Sequence, residues 1–161
     1  MKGKIDGLAE RFGRRGACLI LFGLAWVIVG IGIEVAPPPR EAGVFVVHEQ
    51  LPQWFRAMLW VATGAVAVWV GGRARLDRDD TWGFVALVAM PIERFVSFFI
   101  SWLMFIITDL LGRWFPDVET VGFDRGWYSA TVWLVVVLAL FVISGWRNPA
   151  PPVTPDDDAR E

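Results

Sequence analysis

Four long apolar stretches, separated by short polar segments, dominate the pattern of this chain. They cover approximately residues 17–35, 54–72, 82–111 and 128–146. About 20 apolar residues in a helix cross a hydrocarbon core of roughly 30 Å, so each stretch is long enough to span a bilayer. The pattern predicts an all-α polytopic integral membrane protein with four transmembrane helices.

The segments outside the spans differ in character from the spans themselves. A basic tail at 1–16 precedes the predicted four-helix transmembrane domain at 17–147. The segment 148–161 that follows is rich in proline and then acidic, a composition that is typical of disorder. We therefore expect one membrane domain with a tail at each end.

The third stretch is less regular than the others, because Pro91 and Arg94 lie near its middle. We expect the span to be interrupted near Pro91, and two arrangements are open. In one, a tilted helix over Thr81–Thr108 holds Arg94 deep in the membrane. In the other, Trp82–Met90 lies along the inner interface and Phe95–Leu111 is the true span.

Composition supports a membrane location and argues against several other classes of protein. Apolar residues make up 55% of the chain, and ten residues are tryptophan, an excess that a soluble domain of this size could not keep away from water. The lipid bilayer is therefore the first expected partner. A net charge of -2 gives no surface suited to nucleic acid.

The chain also offers little material for a catalytic or metal site. One cysteine and one histidine cannot build a Cys/His metal site. No HExxH or GxSxG motif and no phosphate-binding glycine loop occurs in the sequence. We expect a protein without catalytic residues, metal or cofactor.

The distribution of lysine and arginine predicts the orientation of the spans. Ten cations lie in the two tails and in the loop after the second span: Lys2, Lys4, Arg11, Arg14, Arg15, Arg73, Arg75, Arg78, Arg147 and Arg160. Four lie on the other side, at Arg40, Arg56, Arg113 and Arg125, and Arg94 belongs to neither group. The positive-inside rule then places both termini in the cytoplasm, with the protein in a bacterial or host cell inner membrane.

Small residues recur every seven positions on the first two spans. They are Gly16, Gly23 and Gly30 on the first span and Ala57, Gly64 and Gly71 on the second. Residues seven apart share a helix face, so each span carries a stripe where another backbone can approach closely. We expect the two stripes to face each other, and the spacing leaves open whether this contact lies within one chain or between chains.

A polar stripe follows one face of the third span. Its members are Glu93, Ser97, Ser101 and Thr108, with Arg94 about 100° away around the helix. This stripe could line an interior seam or an ion path. Alternatively, Glu93 pairs locally with Arg94 at the inner interface, and the hydroxyls bond to carbonyls of their own helix.

The order of these segments resembles that of small four-span membrane proteins encoded by bacteriophages of actinobacteria. The resemblance covers most of residues 11–147 and rests on RFGRRGACLILFGLAWVIVGIGI, a Pro-rich loop, HEQLPQWFRAMLWVATGAVAV and GWYSATVWLVVVLALFVISGW. Some small phage membrane proteins are holins, which assemble holes in the host inner membrane, and others block superinfection. The resemblance implies no catalytic residues.

Two functional hypotheses follow. In the first, the protein is a non-catalytic membrane module that acts by helix packing, through a homo-oligomer of holin-like type or a membrane-protein partner. In the second, it is a small channel or transporter subunit that uses the polar stripe of the third span.

Overall fold

The computed structural model describes residues 2–36, 51–73 and 80–146, with side chains from Phe12 onward. These residues form four helices: α1 (Lys2–Val35), α2 (Gln53–Arg73), α3 (Thr81–Gly112) and α4 (Gly126–Ser144). Each contains a segment that is long and apolar enough to cross a membrane. The all-α prediction with four membrane-spanning helices is confirmed, and the predicted tail at 148–161 lies outside the described residues.

The first helix begins earlier than its apolar stretch. Backbone of helical type starts at Lys2, inside the predicted tail, and is broken at Gly13, where φ is 75° and ψ is 163°. Only glycine adopts such a positive φ without strain. The kink therefore lies at the beginning of the membrane-length part of α1, Phe12–Val35.

The core of the bundle is built around tryptophan. Trp26 of α1 meets Trp60 of α2 edge to face, with ring centroids 5.3 Å apart, and Trp60 in turn meets Trp133 of α4 at 6.0 Å. Leu87 of α3 and Leu140 of α4 are fully buried in the same cluster. All four helices thus contribute to one core.

Pro91 does not break α3, which runs as one helix of 32 residues from Thr81 to Gly112. The expected interruption is confined to one main-chain hydrogen bond, because Pro91 has no N–H to donate to the carbonyl of Leu87. The indole Nε1 of Trp26 donates to that carbonyl oxygen instead, at 3.1 Å. A side chain of α1 therefore replaces the bond that the proline removes from α3.

The first part of α3, residues 81–90, packs in the bundle and does not form a separate interfacial helix. Gly83, Phe84, Leu87 and Met90 are all buried. A Cβ on Gly83 would lie 2.9 Å from the side chain of Leu19, so α3 packs closely against α1 there. Of the two arrangements open from the sequence, the structure has the continuous helix.

The C-terminal end of α3 extends past the start of α4. Gly126, the first residue of α4, packs against Phe98 and Trp102, because a Cβ there would lie 2.6 Å from the Phe98 carbonyl oxygen and 2.9 Å from Trp102 Cβ. About ten more residues of α3 follow Trp102, which adds roughly 15 Å of helix. Residues 103–112 are called the outer segment of α3 below.

Candidate functional site

The small-residue stripes of α1 and α2 lie against each other within one chain. The pairs are Gly16 with Gly71, Gly23 with Gly64, and Gly30 with Ala57, and all six residues are buried. A Cβ added at Gly23, Gly30 or Gly71 would lie 2.7, 2.7 or 2.8 Å from the carbonyl oxygen of the opposite residue. The two backbones thus touch at three levels, and these stripes are not available for contact between copies.

The polar stripe of α3 is divided between two different environments. Ser97 donates a hydrogen bond of 2.9 Å to Oε1 of Glu93, and Arg94 Nε lies 3.9 Å from Glu93 Oε2. The side chains of Arg94 and Glu93 are 16% and 29% exposed, so the ion pair is largely withdrawn from the surroundings. Glu93, Arg94 and Ser97 therefore form one local cluster.

Ser101 and Thr108 instead hold the loop between α3 and α4. The main-chain N–H of Phe123 donates to the Ser101 carbonyl oxygen at 3.2 Å. The Thr108 hydroxyl accepts the N–H of Val121 and lies 3.0 Å from the Val121 carbonyl oxygen. The structure thus does not bring all five predicted polar residues together in one site.

Gly122 makes the close docking of this loop possible. Its φ is 121°, which favours glycine, and a Cβ there would collide with the Ser101 carbonyl oxygen. The loop backbone therefore lies directly on α3 and covers the side of Ser101, which is fully buried.

The Glu93–Arg94 cluster lies beside the middle of α4. Gly126, at one end of α4, packs on Phe98, and Leu140, near the other end, lines a groove with Val88. Glu93 lies halfway between these two levels of α3. An ionisable pair thus occurs well inside the length that α4 spans, where an unpaired charge would be costly.

A second ion pair, which the sequence analysis did not single out, lies where α1 meets the start of α3 and the end of α4. Arg15 of α1 pairs with Asp80, at the start of α3, at 2.5 Å, and Asp80 is only 5% exposed. Arg15 also lies 5.3 Å from the Phe84 ring centroid and 3.5 Å from the carbonyl oxygen of Trp146. Charge alone could not have identified this pair, because Arg15 and Asp80 each have charged neighbours in the sequence.

One uncovered side of α3 carries a regular exposed row, named here the outer stripe. Its members are Val96, Ile100, Leu103, Ile107 and Leu110, each 42 to 50% exposed. Their spacing of four, three, four and three residues is the heptad spacing with which left-handed helix pairs interdigitate. The sequence analysis missed this stripe because apolar residues occur on several faces of the third span, and only the packing shows which of these faces stays uncovered.

No group of three or more metal-binding side chains occurs within the described ranges. Comparison with protein family models, with characterised proteins and with solved structures finds no match to this chain. The candidate features are therefore defined by geometry: the Glu93–Arg94 cluster, the Arg15–Asp80 pair and the outer stripe.

Proposed function

We propose that this protein is a non-catalytic integral membrane protein that acts by self-association through the outer stripe of α3. The observation that carries the proposal is the mismatch between α3, with 32 residues, and α4, with 19. A 32-residue helix is about 48 Å long, far more than a hydrocarbon core of roughly 30 Å.

The mismatch leaves apolar side chains where lipid tails do not reach. If α4 spans the core, the outer segment of α3 extends beyond it, yet Leu103, Ile107 and Leu110 are exposed there. Apolar surface outside the hydrocarbon is driven toward burial by the hydrophobic effect, and mismatch favours helix association. A second helix laid along the outer stripe would supply that burial.

A second copy of the same chain suits this surface. The outer stripe has the heptad spacing of packed helix pairs, and a two-fold axis across it would place the same residues of two copies in contact. The small-residue stripes support the choice of the outer stripe indirectly, because the stripes of α1 and α2 already pack against each other. Association between copies must therefore use larger apolar residues.

Counting subunits in sparsely loaded lipid vesicles tests the proposal. Fluorescently labelled wild-type protein should bleach in two or more steps per particle, and the double change Leu103→Ala with Ile107→Ala should weaken association about tenfold or more, a loss of roughly 1.4 kcal/mol. The matched control is Val135→Ala with Leu138→Ala on α4, whose side chains are similarly exposed. Single-step bleaching of the wild type would refute self-association.

The holin-like form of the proposal adds a physiological consequence to this assembly. If oligomers open holes, induced expression should depolarise bacterial membranes abruptly, and the Leu103→Ala, Ile107→Ala protein at equal abundance should delay depolarisation. Oligomers without depolarisation would leave self-association in place and remove the holin-like role.

We place both termini in the cytoplasm on the strength of the cation distribution. The start of α1 and the end of α4 lie at the same end of the bundle, as the contact of Arg15 with Trp146 shows. In cells that produce a Cys18→Ala background, an impermeant thiol reagent should modify Asp117→Cys and spare Arg75→Cys. The opposite labelling pattern would show that both termini lie outside the cytoplasm.

A second candidate function rests on the Glu93–Arg94 cluster. An ion pair beside the middle of a spanning helix is the kind of group that proton and ion pathways use. Vesicles loaded with a pH-sensitive dye should then show proton flux that Glu93→Gln abolishes and Glu34→Gln, at the end of α1, leaves unchanged. Absence of flux in the wild type would remove this candidate.

A further inference from the structure

The end of the bundle where α1 begins has an excess of positive charge. Arg14 of α1 and Arg73 of α2 are both exposed there. Among the side chains that the structure describes at this end, Asp80 is the one acid, and it pairs with Arg15. Arg14 and Arg73 therefore have no carboxylate partner within the described side chains, and the surface that they form is named here the basic end.

Arg73 is held in place without using its hydrogen-bond donors. Its guanidinium carbon lies 4.1 Å from the ring centroid of Trp69, in a cation–π contact. Stacking of this kind uses the face of the guanidinium, whereas its N–H groups point outward in the plane of the group. These N–H groups remain available to a carboxylate.

An acidic part of the same chain is tethered to this end of the bundle. The carbonyl oxygen of Trp146, just after α4, lies 3.5 Å from a guanidinium nitrogen of Arg15 on α1. The chain continues from there through a proline-rich stretch to three consecutive aspartates, Asp156–Asp158, named here the acidic segment. This segment lies outside the described residues, but the structure fixes the point from which it is tethered.

The tether is long enough for the acidic segment to reach both arginines. It has nine residues, 147–155, and extended backbone of that length spans at most about 30 Å. Arg14 adjoins the residue of α1 that the end of α4 contacts. Arg73 lies at the same level, because Gly16 packs against Gly71, and two interhelical distances from α4 to α2 amount to roughly 20 Å.

We propose that the acidic segment docks on the basic end of its own chain, with carboxylates that accept hydrogen bonds from Arg14 and Arg73. One exposed ion pair contributes little. Three adjacent carboxylates opposite two arginines act together, however, and a short tether holds them at an effective concentration in the millimolar range. The contact is independent of self-association through the outer stripe, because it uses α1 and α2.

Distance measurement by pulsed electron spin resonance, in lipid nanodiscs that hold one chain each, tests this docking. On a Cys18→Ala background, spin labels are attached at Gly72→Cys, beside Arg73, and at Ala159→Cys, beside the acidic segment. A side chain at position 72 meets nothing within 4 Å, so a label fits there. In phosphatidylcholine discs at low salt, we expect one short distance to dominate.

Neutralising the acidic segment should release it. Changing its three aspartates to asparagine should lower the ratio of docked to undocked chains about fivefold, the combined effect of a few exposed ion pairs. Salt at about 1 M should act in the same direction, because it screens exposed charges. Arg14→Gln with Arg73→Gln removes the other half of the contact and should lengthen the distance as much.

Two controls are matched to these changes. A label pair at Gly32→Cys and Ala159→Cys should report a long distance in every variant, since Gly32 lies near the other end of α1. An equal change in net charge at three exposed acids of the α3–α4 loop should leave the short distance as it is; these changes are Asp117→Asn, Glu119→Gln and Asp124→Asn.

Three results would overturn the proposal. Equal distance distributions in the wild type and the asparagine variant would show that the acidic segment does not dock. Release by the asparagine changes but not by the arginine changes would place the segment elsewhere. Long wild-type distances in both phosphatidylcholine and phosphatidylglycerol discs would leave the basic end to lipid headgroups.

Discussion

At the scale of single residues, the hydrogen bonding of buried polar groups distinguishes positions that are otherwise similar. The carbonyl of Leu87, which loses its usual donor to Pro91, is matched by Trp26. Trp60, which touches Trp26, has a buried Nε1 without an acceptor in the described part of the chain. The two neighbouring indoles therefore differ in hydrogen bonding: within the described residues, the N–H of Trp26 has an acceptor and the N–H of Trp60 has none.

This difference predicts that the same substitution destabilises the bundle by different amounts at the two positions. Trp26→Phe should destabilise the bundle by about 1–3 kcal/mol beyond the loss of ring volume, because a buried carbonyl loses its partner. Trp60→Phe removes a donor that already lacks an acceptor and should cost less. Unfolding in mixed detergent micelles measures both.

A rescue experiment isolates the hydrogen bond itself. Pro91→Ala restores an N–H opposite Leu87, so Trp26→Phe should be milder in a Pro91→Ala background than alone. Equal costs in the two backgrounds would show that the contribution of Trp26 is packing only.

The Glu93–Arg94 pair yields a second prediction at this scale. Glu93→Gln alone leaves Arg94 charged beside the middle of α4, whereas the double change with Arg94→Gln leaves no charge. The single change should therefore lower folded yield in detergent more than the double change does. Additive effects of the two single changes would indicate independent, hydrated charges.

Sequence could not supply these residue-level contacts. The heptads of glycine and the polar spacing on α3 are periodic and visible in the chain, whereas Trp26 with Leu87 and Arg15 with Asp80 are pairs 61 and 65 positions apart. Nothing in the local pattern distinguishes Arg15 from Arg14 or Trp26 from Trp60. Their partners are set by how three helices meet.

At the scale of elements, close backbone contact defines the α1–α2 pair. The seven-residue recurrence could be predicted because a helix repeats its faces nearly every seven positions. The continuity of α3 could not, since a proline beside a charged pair is equally compatible with a helix end. In the structure, burial of Leu87 and Met90 keeps the inner half of α3 in the bundle.

The α1–α2 contact makes a matched prediction for two glycines on the same helix, Gly30 and Gly32. Gly30→Ala places a methyl group 2.7 Å from the Ala57 carbonyl oxygen, while Gly32→Ala meets nothing within 4 Å. Gly30→Ala should destabilise the protein by about 1–3 kcal/mol through overpacking, and Gly32→Ala should be neutral or mildly stabilising.

The same comparison can be made at the opposite end of the pair, with Gly71→Ala against Gly72→Ala, since only Gly71 faces a backbone. Thermal unfolding in detergent provides the measurement. Equal melting temperatures within both matched pairs would contradict a tight contact between α1 and α2.

At the scale of the whole molecule, the helices of the bundle end at different levels, because α3 extends past the start of α4. Helices α2 and α4 and the part of α1 over Phe12–Val35 have lengths suited to one bilayer, and α3 continues with an exposed apolar face. This unevenness could not be predicted from hydropathy, which gives the length of an apolar run but not the level at which its neighbours end. The central claim is that a second copy covers this face.

Disulfide cross-linking in native membranes tests that claim most directly. On a Cys18→Ala background, Ile107→Cys places a thiol on the outer stripe, and Val135→Cys places one at a more exposed position of α4. Under mild oxidation, we expect dimers to form rapidly through position 107 and slowly through position 135. Equal, slow cross-linking at both positions would show random collision and contradict self-association through α3.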